Sequence, residues 1–193
     1  MTQTDAEVIA ASCRKPERFA ELFDRHAPHL HRYCARRAGP QEADDLVAET
    51  FLAAFGQRSG YDDAYPDARP WLYGIATNLL GTYQRQEIRQ FRLLQAAAPR
   101  AVAAFDDSER VLATLAAQSA RPRLAAALAE LSQPDRDVLL LIAWEDLSYH
   151  EVARALEIPV GTVRSRLHRA RSRLRPVLAD LAIDAYDKEN LTP

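Results

Sequence analysis

The stretch SYHEVARALEIPVGTVRSRLHRARSRLR, residues 148–175, predicts two helices joined by a tight turn. Ser148 and Glu151 have the spacing of a capping box, which marks the start of the first helix. Pro159 ends that helix, because proline clashes with the preceding turn and disfavours the helical conformation one residue earlier. Beyond it, apolar residues recur at i, i+4, i+7 and i+11, which is one stripe of a second helix: Val163, Leu167, Ala170 and Leu174.

The second of these helices is strongly basic. Six arginines cover most of its remaining surface, and no acidic residue lies between Glu157 and Asp180. A helix with one buried stripe and an arginine-covered outer side fits the major groove of DNA. Gly161 and Thr162, at its start, are expected to offer free backbone N–H groups to a phosphate. Because a solvated surface helix would mix charge signs, the stretch predicts a DNA-binding helix-turn-helix.

The composition of the whole chain sets limits on its class. The 193 residues suffice for one large domain or two small ones. Because the net charge of the whole chain is only −2, the strongly basic charge of the second helix is a local feature. No apolar run approaches the roughly 20 residues of a membrane span, and the N-terminus has no signal-peptide pattern. Cys13 and Cys34 do not make a disulfide framework. We therefore expect a cytoplasmic protein with no membrane insertion.

Ahead of this stretch, helical periodicity dominates. The pattern predicts helices at 16–38, 41–56 and from about 70 to 94, with Pro28 expected to kink or split the first. Residues 1–15 are weakly patterned, so we expect a frayed start. Sustained period-two alternation is absent, which excludes strands and predicts an all-α fold.

The second predicted helix, 41–56, is amphipathic. Its acidic residues Glu42, Asp45 and Glu49 recur at i+3 or i+4 and share an outer side. The apolar residues are expected to face inward: Leu46, Val47, Phe51, Leu52 and Phe55.

The pattern divides the chain in two. Residues 95–120 are poor in large apolar side chains and predict a flexible linker, although 107–118 could form a helix. Helical periodicity resumes at Leu124 and continues into the helix-turn-helix. We therefore predict two small helical domains, 16–94 and 121–178, followed by a short, loosely attached tail at 179–193.

No set of residues predicts catalysis or a cofactor. His26, His29, His31 and Cys34 are close in sequence, but helical spacing scatters them around the axis, which argues against zinc. The carboxylates at 44, 45 and 49 have no histidine at Glu-x-x-His spacing, which argues against a di-metal site. With no glycine-rich phosphate loop and no nucleophile elbow, we expect a non-enzymatic protein.

Three runs in this order resemble the extracytoplasmic-function (ECF) type of bacterial RNA polymerase sigma factor: ADDLVAETFLAAF (43–55), RPWLYGIATNLL (69–80) and LSYHEVARALEIPVGTVRSRLHRARSRL (147–174). The resemblance covers nearly the whole chain outside the ends and the linker. It implies two domains, regions 2 and 4. Region 2 would bind core polymerase and recognise and melt the minus-ten element, and region 4 would read the minus-thirty-five element.

In region 2, the resemblance places Asp45, Leu46 and Glu49 against the clamp helices of the polymerase β′ subunit. An acidic face suits a basic partner, although a merely solvated face has the same composition. The resemblance also places Asn78 beside a pocket for an extruded base. Tyr61 and Tyr65, in the preceding loop, would form its wall or a stacking surface.

Further along the same helix, Arg85 and Arg89 would follow the non-template phosphates. We assign Trp71 mainly to packing.

In region 4, four residues match positions that read the minus-thirty-five element: Arg164, Ser165, His168 and Arg169. Four more residues are expected to contact phosphates: Thr162, Arg166, Arg171 and Arg173. For the three arginines, a neighbouring polymerase surface is the alternative partner. Two positions depart from the family pattern. Pro159 stands where a helix-capping serine is frequent, and Ile142 where an arginine contact can occur.

The partners implied are core RNA polymerase, at the β′ clamp helices and the β flap, promoter DNA, and an anti-sigma protein clamped between the domains. Two alternatives come from other classes. A helix-turn-helix repressor or activator would bind operators as a dimer, without polymerase. An all-α enzyme with an accessory DNA-binding domain is the other.

Overall fold

The computed structural model describes residues 3–97 and 120–190, and within these ranges the fold is all-α, as predicted. Eight α-helices occur there, together with short 3₁₀ turns at Pro16–Phe19 and Arg58–Gly60. The N-terminal half contains α1 (Asp5–Ser12), α2 (Ala20–Ala38), α3 (Pro40–Gln57) and α4 (Arg69–Ala97). The C-terminal half contains α5 (Ala120–Ala129), α6 (Gln133–Glu145), α7 (Tyr149–Ala155) and α8 (Val160–Asn190).

The expectation of a frayed N-terminus was wrong. Thr4 and Glu7 form a capping box at the start of α1. Val8 and Ile9 are buried in the core, and Asp5 accepts a hydrogen bond from the backbone N–H of Ala68, 3.1 Å away. A short helix without a strong amphipathic pattern is therefore held in place by its cap and its tertiary contacts.

Helix α2 continues through Pro28 from Ala20 to Ala38, so of the two effects expected of this proline, a kink or a split, the split does not occur. The chain then turns at Gly39, whose φ of 102° is in the region that favours glycine. Pro40 follows at the first turn of α3, where its fixed φ suits a helix start.

Helix α3 packs between α2 and α4 with the predicted inner face, apart from Leu52. Leu46, Val47 and Phe51 are buried, but the Leu52 side chain is 72% exposed. Leu52 lies seven residues after Asp45 and three after Glu49, so helical geometry places it on the acidic outer side. The prediction that it faces inward was wrong.

The helix-turn-helix forms as predicted. Glu151 N–H donates to the Ser148 hydroxyl, while the Glu151 carboxylate accepts from Ser148 N–H at 2.7 Å. The turn passes through Glu157, which adopts a positive φ of 53°. All four apolar residues of the predicted α8 stripe are buried: Val163, Leu167, Ala170 and Leu174.

Helix α8 continues through Pro176 to Asn190. The helix therefore runs on into the residues that were predicted to form a short tail from 179. The predicted linker lies largely outside the described residues, as does the possible helix at 107–118.

The two halves pack against each other. One hydrophobic core contains Leu72 and Leu80 of α4 together with Val138 of α6 and Val152 of α7. Helix α4 is thus buried from both sides, by α2 and α3 of its own half and by α6 and α7 of the other. No helix in the described part of the chain is long and apolar enough to cross a membrane.

Candidate polymerase and promoter interfaces

The acidic side of α3 faces solvent. Asp45 and Glu49 are exposed, whereas Leu46 is only 5% exposed and belongs mainly to the core. Leu46 forms part of the wall of a groove of about 270 Å³ between α3 and α4. The exposed Leu52, which the sequence reasoning placed inside, adds a large apolar side chain to this acidic side.

A larger cleft, of about 690 Å³, lies between the 61–65 loop and α4. Tyr61, Tyr65 and Asn78, which the sequence analysis grouped together, all line it. The Tyr61 ring packs on Trp71 with centroids 4.9 Å apart, and its hydroxyl donates to the Tyr65 carbonyl oxygen at 2.8 Å. Desolvation raises the pKa of Tyr61 to about 12, so it remains a neutral hydrogen-bond donor.

The two tyrosines therefore differ in what they can do. Tyr61 is held by Trp71 and forms a fixed wall, while the Tyr65 ring is 42% exposed. The guanidinium of Arg154, from α7, lies 3.8 Å from the centroid of the Tyr65 ring. Arg154 belongs to the other half of the molecule, so no sequence pattern predicts this contact.

The polar side of α4 continues along the helix. Asn78 is exposed, and so are Arg85 and Arg89 farther on. Arg85 donates to the Thr82 hydroxyl at 3.1 Å and borders a second groove, of about 230 Å³, next to Asn78. This side of α4 can thus offer an amide to a base edge and guanidinium groups to phosphates.

The outer face of α8 presents the four predicted minus-thirty-five residues together. All four are exposed, on the side opposite the buried stripe: Arg164, Ser165, His168 and Arg169. The Ser165 hydroxyl donates to the Thr162 carbonyl at 3.0 Å. The Thr162 N–H donates to the Pro159 carbonyl at 2.8 Å, so the prediction that this N–H is free for a phosphate was wrong.

Asp135 of α6 holds one of these residues. Its carboxylate accepts from Nη2 of Arg169 at 2.9 Å and from Nε at 3.3 Å. The hydrogen bonds from Arg169 lower the pKa of Asp135 below its ordinary value. No local signal in the sequence joins two residues on different helices, and Asp135 was missed.

The predicted phosphate contacts separate into two groups. Arg171 and Arg173 are exposed on α8, but Arg166 is half-buried and lines the groove shared with Asn78 and Arg85. In this structure Arg166 therefore faces the N-terminal half.

The residues considered for zinc have separate neighbours. His26 lies 2.7 Å from Asp5, His31 3.3 Å from Asp44, and His29 2.7 Å from Arg32. Cys34 is buried, and burial raises the pKa of its thiol to about 12, which disfavours the thiolate that binds metals.

Comparisons with known proteins agree with both halves of this arrangement. Residues 22–90 match the Sigma-70 region 2 family, and residues 121–174 match Sigma-70, region 4. The RNA polymerase sigma factor CarQ of Myxococcus xanthus is 34% identical over 176 residues, covering 86% of this chain and 92% of CarQ. The ECF sigma factor SigW of Bacillus subtilis is 31% identical, covering 84% of this chain and 90% of SigW.

One relative is longer. The ECF sigma factor SigE of Mycolicibacterium smegmatis is 35% identical over 171 residues, and the match covers 82% of this chain but only 61% of SigE.

Solved structures show the same fold. CnrH in complex with the cytosolic domain of CnrY aligns with a TM-score of 0.62 and 26% identity, over 91% of this chain and 97% of CnrH. The sigma factor RpoE of Bartonella quintana, in complex with the anti-sigma factor NepR, aligns with a TM-score of 0.61 and 22% identity, over 83% of this chain and 96% of that chain. The chain belongs to the ECF family of RNA polymerase sigma factors, which bind core polymerase and direct promoter-specific initiation of transcription.

Proposed function

We propose that three separate surfaces of this sigma factor divide the work of initiation. The outer side of α3 binds core polymerase, the cleft beside α4 reads and opens the minus-ten element, and the outer face of α8 reads the minus-thirty-five element. The observation that carries the proposal is that all four α8 reading residues are exposed, opposite a stripe whose four residues are all buried.

On the polymerase side, Asp45 and Glu49 provide the charge and Leu52 an apolar contact. Leu46 supports this side from the core, because its own exposure is small. A mixed acidic and apolar helix face suits a basic protein partner, since DNA phosphates would repel it. We assign this side to the β′ clamp helices, and leave the β flap contact to the C-terminal domain.

At the minus-ten element, an extruded base would enter the cleft bordered by Tyr61, Tyr65 and Asn78. The Asn78 amide can both donate to and accept from a base edge. The exposed Tyr65 ring offers a face for stacking, and Arg85 and Arg89 lie on the same helix to contact the displaced strand.

At the minus-thirty-five element, α8 would lie in the major groove. Arg164 and Arg169 have the fork geometry that pairs with guanine, and Ser165 and His168 add shorter polar contacts. Thr162, through its hydroxyl, and Arg171 and Arg173 would contact phosphates, which position the helix without reading sequence. Arg166 can join them only after it leaves the groove beside Asn78.

Three further assignments concern catalysis, location and regulation. We propose that the chain performs no catalysis itself, acts in the cytoplasm where polymerase and promoter DNA are found, and is regulated by an anti-sigma protein. The related CnrH binds the cytosolic domain of another protein, CnrY, and this supports the last assignment. A dimeric repressor would leave the match to sigma region 2 at 22–90 without a role.

The experiment is initiation by purified core polymerase to which the chain is added, on promoters identified by mapping its binding sites in the genome. We expect specific transcripts only with the chain present. Asn78→Ala should reduce strand opening, measured by permanganate reactivity of unpaired thymines, much more than it reduces closed-complex formation measured by gel shift.

An equal reduction of both steps would reject the pocket role of Asn78. Tight operator binding without polymerase, together with no transcripts, would favour the repressor alternative.

A further inference from the structure

Helix α1 lies ahead of residues 22–90, the part of the chain that matches sigma region 2. It nevertheless reaches the loop that forms the wall of the minus-ten cleft. The backbone N–H of Asp5, the first residue of α1, donates to the Pro66 carbonyl oxygen at 3.0 Å. The Asp5 carboxylate accepts from the backbone N–H of Ala68 at 3.1 Å. One residue of α1 thus binds the loop at two points, just before α4 begins.

The two points of contact enclose Asp67, which binds the cleft wall directly. The Asp67 carbonyl oxygen accepts a hydrogen bond from the Tyr61 hydroxyl at 3.2 Å. The same hydroxyl lies 2.8 Å from the Tyr65 carbonyl oxygen, so the two carbonyls share its proton. Because Asp67 lies between the two residues bound to α1, Asp5 fixes an acceptor that orients the Tyr61 side chain.

Helix α2 in turn holds the Asp5 carboxylate in place. Arg25 Nη1 donates to its Oδ1 at 2.9 Å, and His26 Nε2 lies 2.7 Å from its Oδ2. The Asp5 side chain is only 10% exposed, and Ala68 is completely buried. A buried N–H that loses its acceptor costs the free energy of desolvating that group. Removal of this carboxylate therefore leaves the Ala68 N–H unpaired or makes the loop move.

Movement of the loop would change the shape of the minus-ten cleft. Asn78 belongs to α4, whereas Tyr61 and Tyr65 belong to the loop and would move with it. Recognition depends on the position of the groups that surround the bound base, since a displacement of about 1 Å can cost about 10²-fold in a reaction that needs exact placement. The contact with α1 therefore sets the distance between the two sides of the cleft.

We propose that Asp5 is a positioning residue for base recognition: from α1 it holds residues 66–68, so that Tyr61 and Tyr65 face Asn78 across the cleft at the separation that an extruded base requires. Asp5 does not touch the base, and it acts through the Asp67 carbonyl. The inference rests on the assignment of this cleft to the minus-ten element, given above.

The test uses the full chain with core polymerase, on promoters that carry each of the four bases at each minus-ten position. Asp5→Ala removes the acceptor of the Ala68 N–H. We expect the ratio of strand opening between the preferred base and the other bases at the extruded position to fall about five- to thirtyfold. The affinity for core polymerase should stay at the wild-type value, because the acidic outer side of α3 is not altered.

Asp5→Asn is the milder second variant, since it keeps one of the two acceptor oxygens. It should lose less discrimination than Asp5→Ala and gives the answer if Asp5→Ala does not fold. Val8→Ala is the matched control. Val8 is completely buried in the same helix, so its truncation leaves a cavity that destabilises α1 while the Asp5 contacts stay in place. Circular dichroism checks folding, and Val8→Ala should discriminate between bases as the wild type does.

Two further measurements separate positioning from stability. Hydrogen exchange of the free chain should show the Ala68 N–H exchanging at least about tenfold faster in Asp5→Ala than in Val8→Ala, because only the first variant removes its acceptor. Tyr61→Phe removes the hydroxyl through which Asp5 acts. Adding Asp5→Ala to Tyr61→Phe should therefore cause little further loss of discrimination, whereas independent effects would add.

Equal discrimination in Asp5→Ala and Val8→Ala would overturn the positioning role, and so would losses that add in the double variant. Failure of the cleft assignment has its own readout, which is wild-type strand opening with Asn78→Ala, and the inference would fall with it. Impaired opening with Asn78→Ala together with wild-type discrimination in Asp5→Ala would reject the role of Asp5 alone.

Discussion

At the scale of single residues, Arg169 shows how a recognition side chain is prepared for DNA. Asp135 accepts two hydrogen bonds from it, so the guanidinium is oriented before any base is present. Such orientation reduces the side-chain entropy lost on binding. Arg173, one turn farther along α8, is exposed as well, and we assign it to phosphate.

Arg169→Ala should therefore lose about 10- to 100-fold of discrimination at one base pair of the minus-thirty-five element. Arg173→Ala should weaken binding to all sequences similarly and reduce the salt dependence by about one phosphate contact. The measurement is holoenzyme binding to promoters substituted at each position in turn. A uniform loss with Arg169→Ala would reassign this residue to phosphate.

At the scale of elements, α1 is held to the rest of the N-terminal half through Asp5. Its carboxylate accepts from Nη1 of Arg25 at 2.9 Å, from Ala68 N–H at 3.1 Å, and contacts His26 Nε2 at 2.7 Å. Desolvation raises the pKa of this group, but the hydrogen bonds from His26 and Ala68 outweigh it and lower the pKa to about 2.

Because the pKa of Asp5 is lower in the folded than in the unfolded chain, its contribution is complete above about pH 4 and is lost as the pH falls toward 2. Asp5→Asn should reduce the free energy of unfolding at pH 6 by about 2 kcal/mol and flatten its decline between pH 4 and 2. Urea titrations over this range measure both effects. Asp24→Asn, at an exposed position of α2, is the control, and an identical curve for the two variants would contradict the role of Asp5.

At the scale of the whole molecule, the continuous core makes the two halves one folding unit. Leu72 and Leu80 of α4 contact the same cluster as Val138 and Val152, so unfolding one half exposes apolar surface of the other. The contact between the halves therefore contributes to the stability of both.

A Cβ at Gly74 of α4 would lie 2.2 Å from the Ala155 carbonyl oxygen of α7, whereas a Cβ at Gly56 of α3 would meet no atom within 4 Å. We expect wild type and Gly56→Ala to unfold in one transition, and Gly74→Ala in two, because its halves would no longer share a core. Each half contains one tryptophan, Trp71 and Trp144. Urea unfolding followed by fluorescence in the Trp71→Phe and Trp144→Phe backgrounds reports each half separately. Coincident transitions in Gly74→Ala would show that the methyl group does not separate them.

The local part of this structure was predictable from sequence. The capping box at Ser148, the turn before α8 and its buried stripe depend on residues within a few positions of one another, and all formed as predicted. The same local information contained the Thr4–Glu7 capping box and the outward direction of Leu52, both of which were missed. The exposure of the minus-thirty-five residues follows directly from the stripe that they oppose.

Tertiary structure alone decided which of these surfaces come together. Gly74 meets Ala155, Arg37 meets Asp137, and Asp135 meets Arg169, in each case across a large separation in sequence. Helical periodicity determines which side of one helix is apolar, but not which partner covers it. Only the tertiary structure shows why Gly74 has no side chain, because the Ala155 carbonyl oxygen lies 2.2 Å from where its Cβ would be.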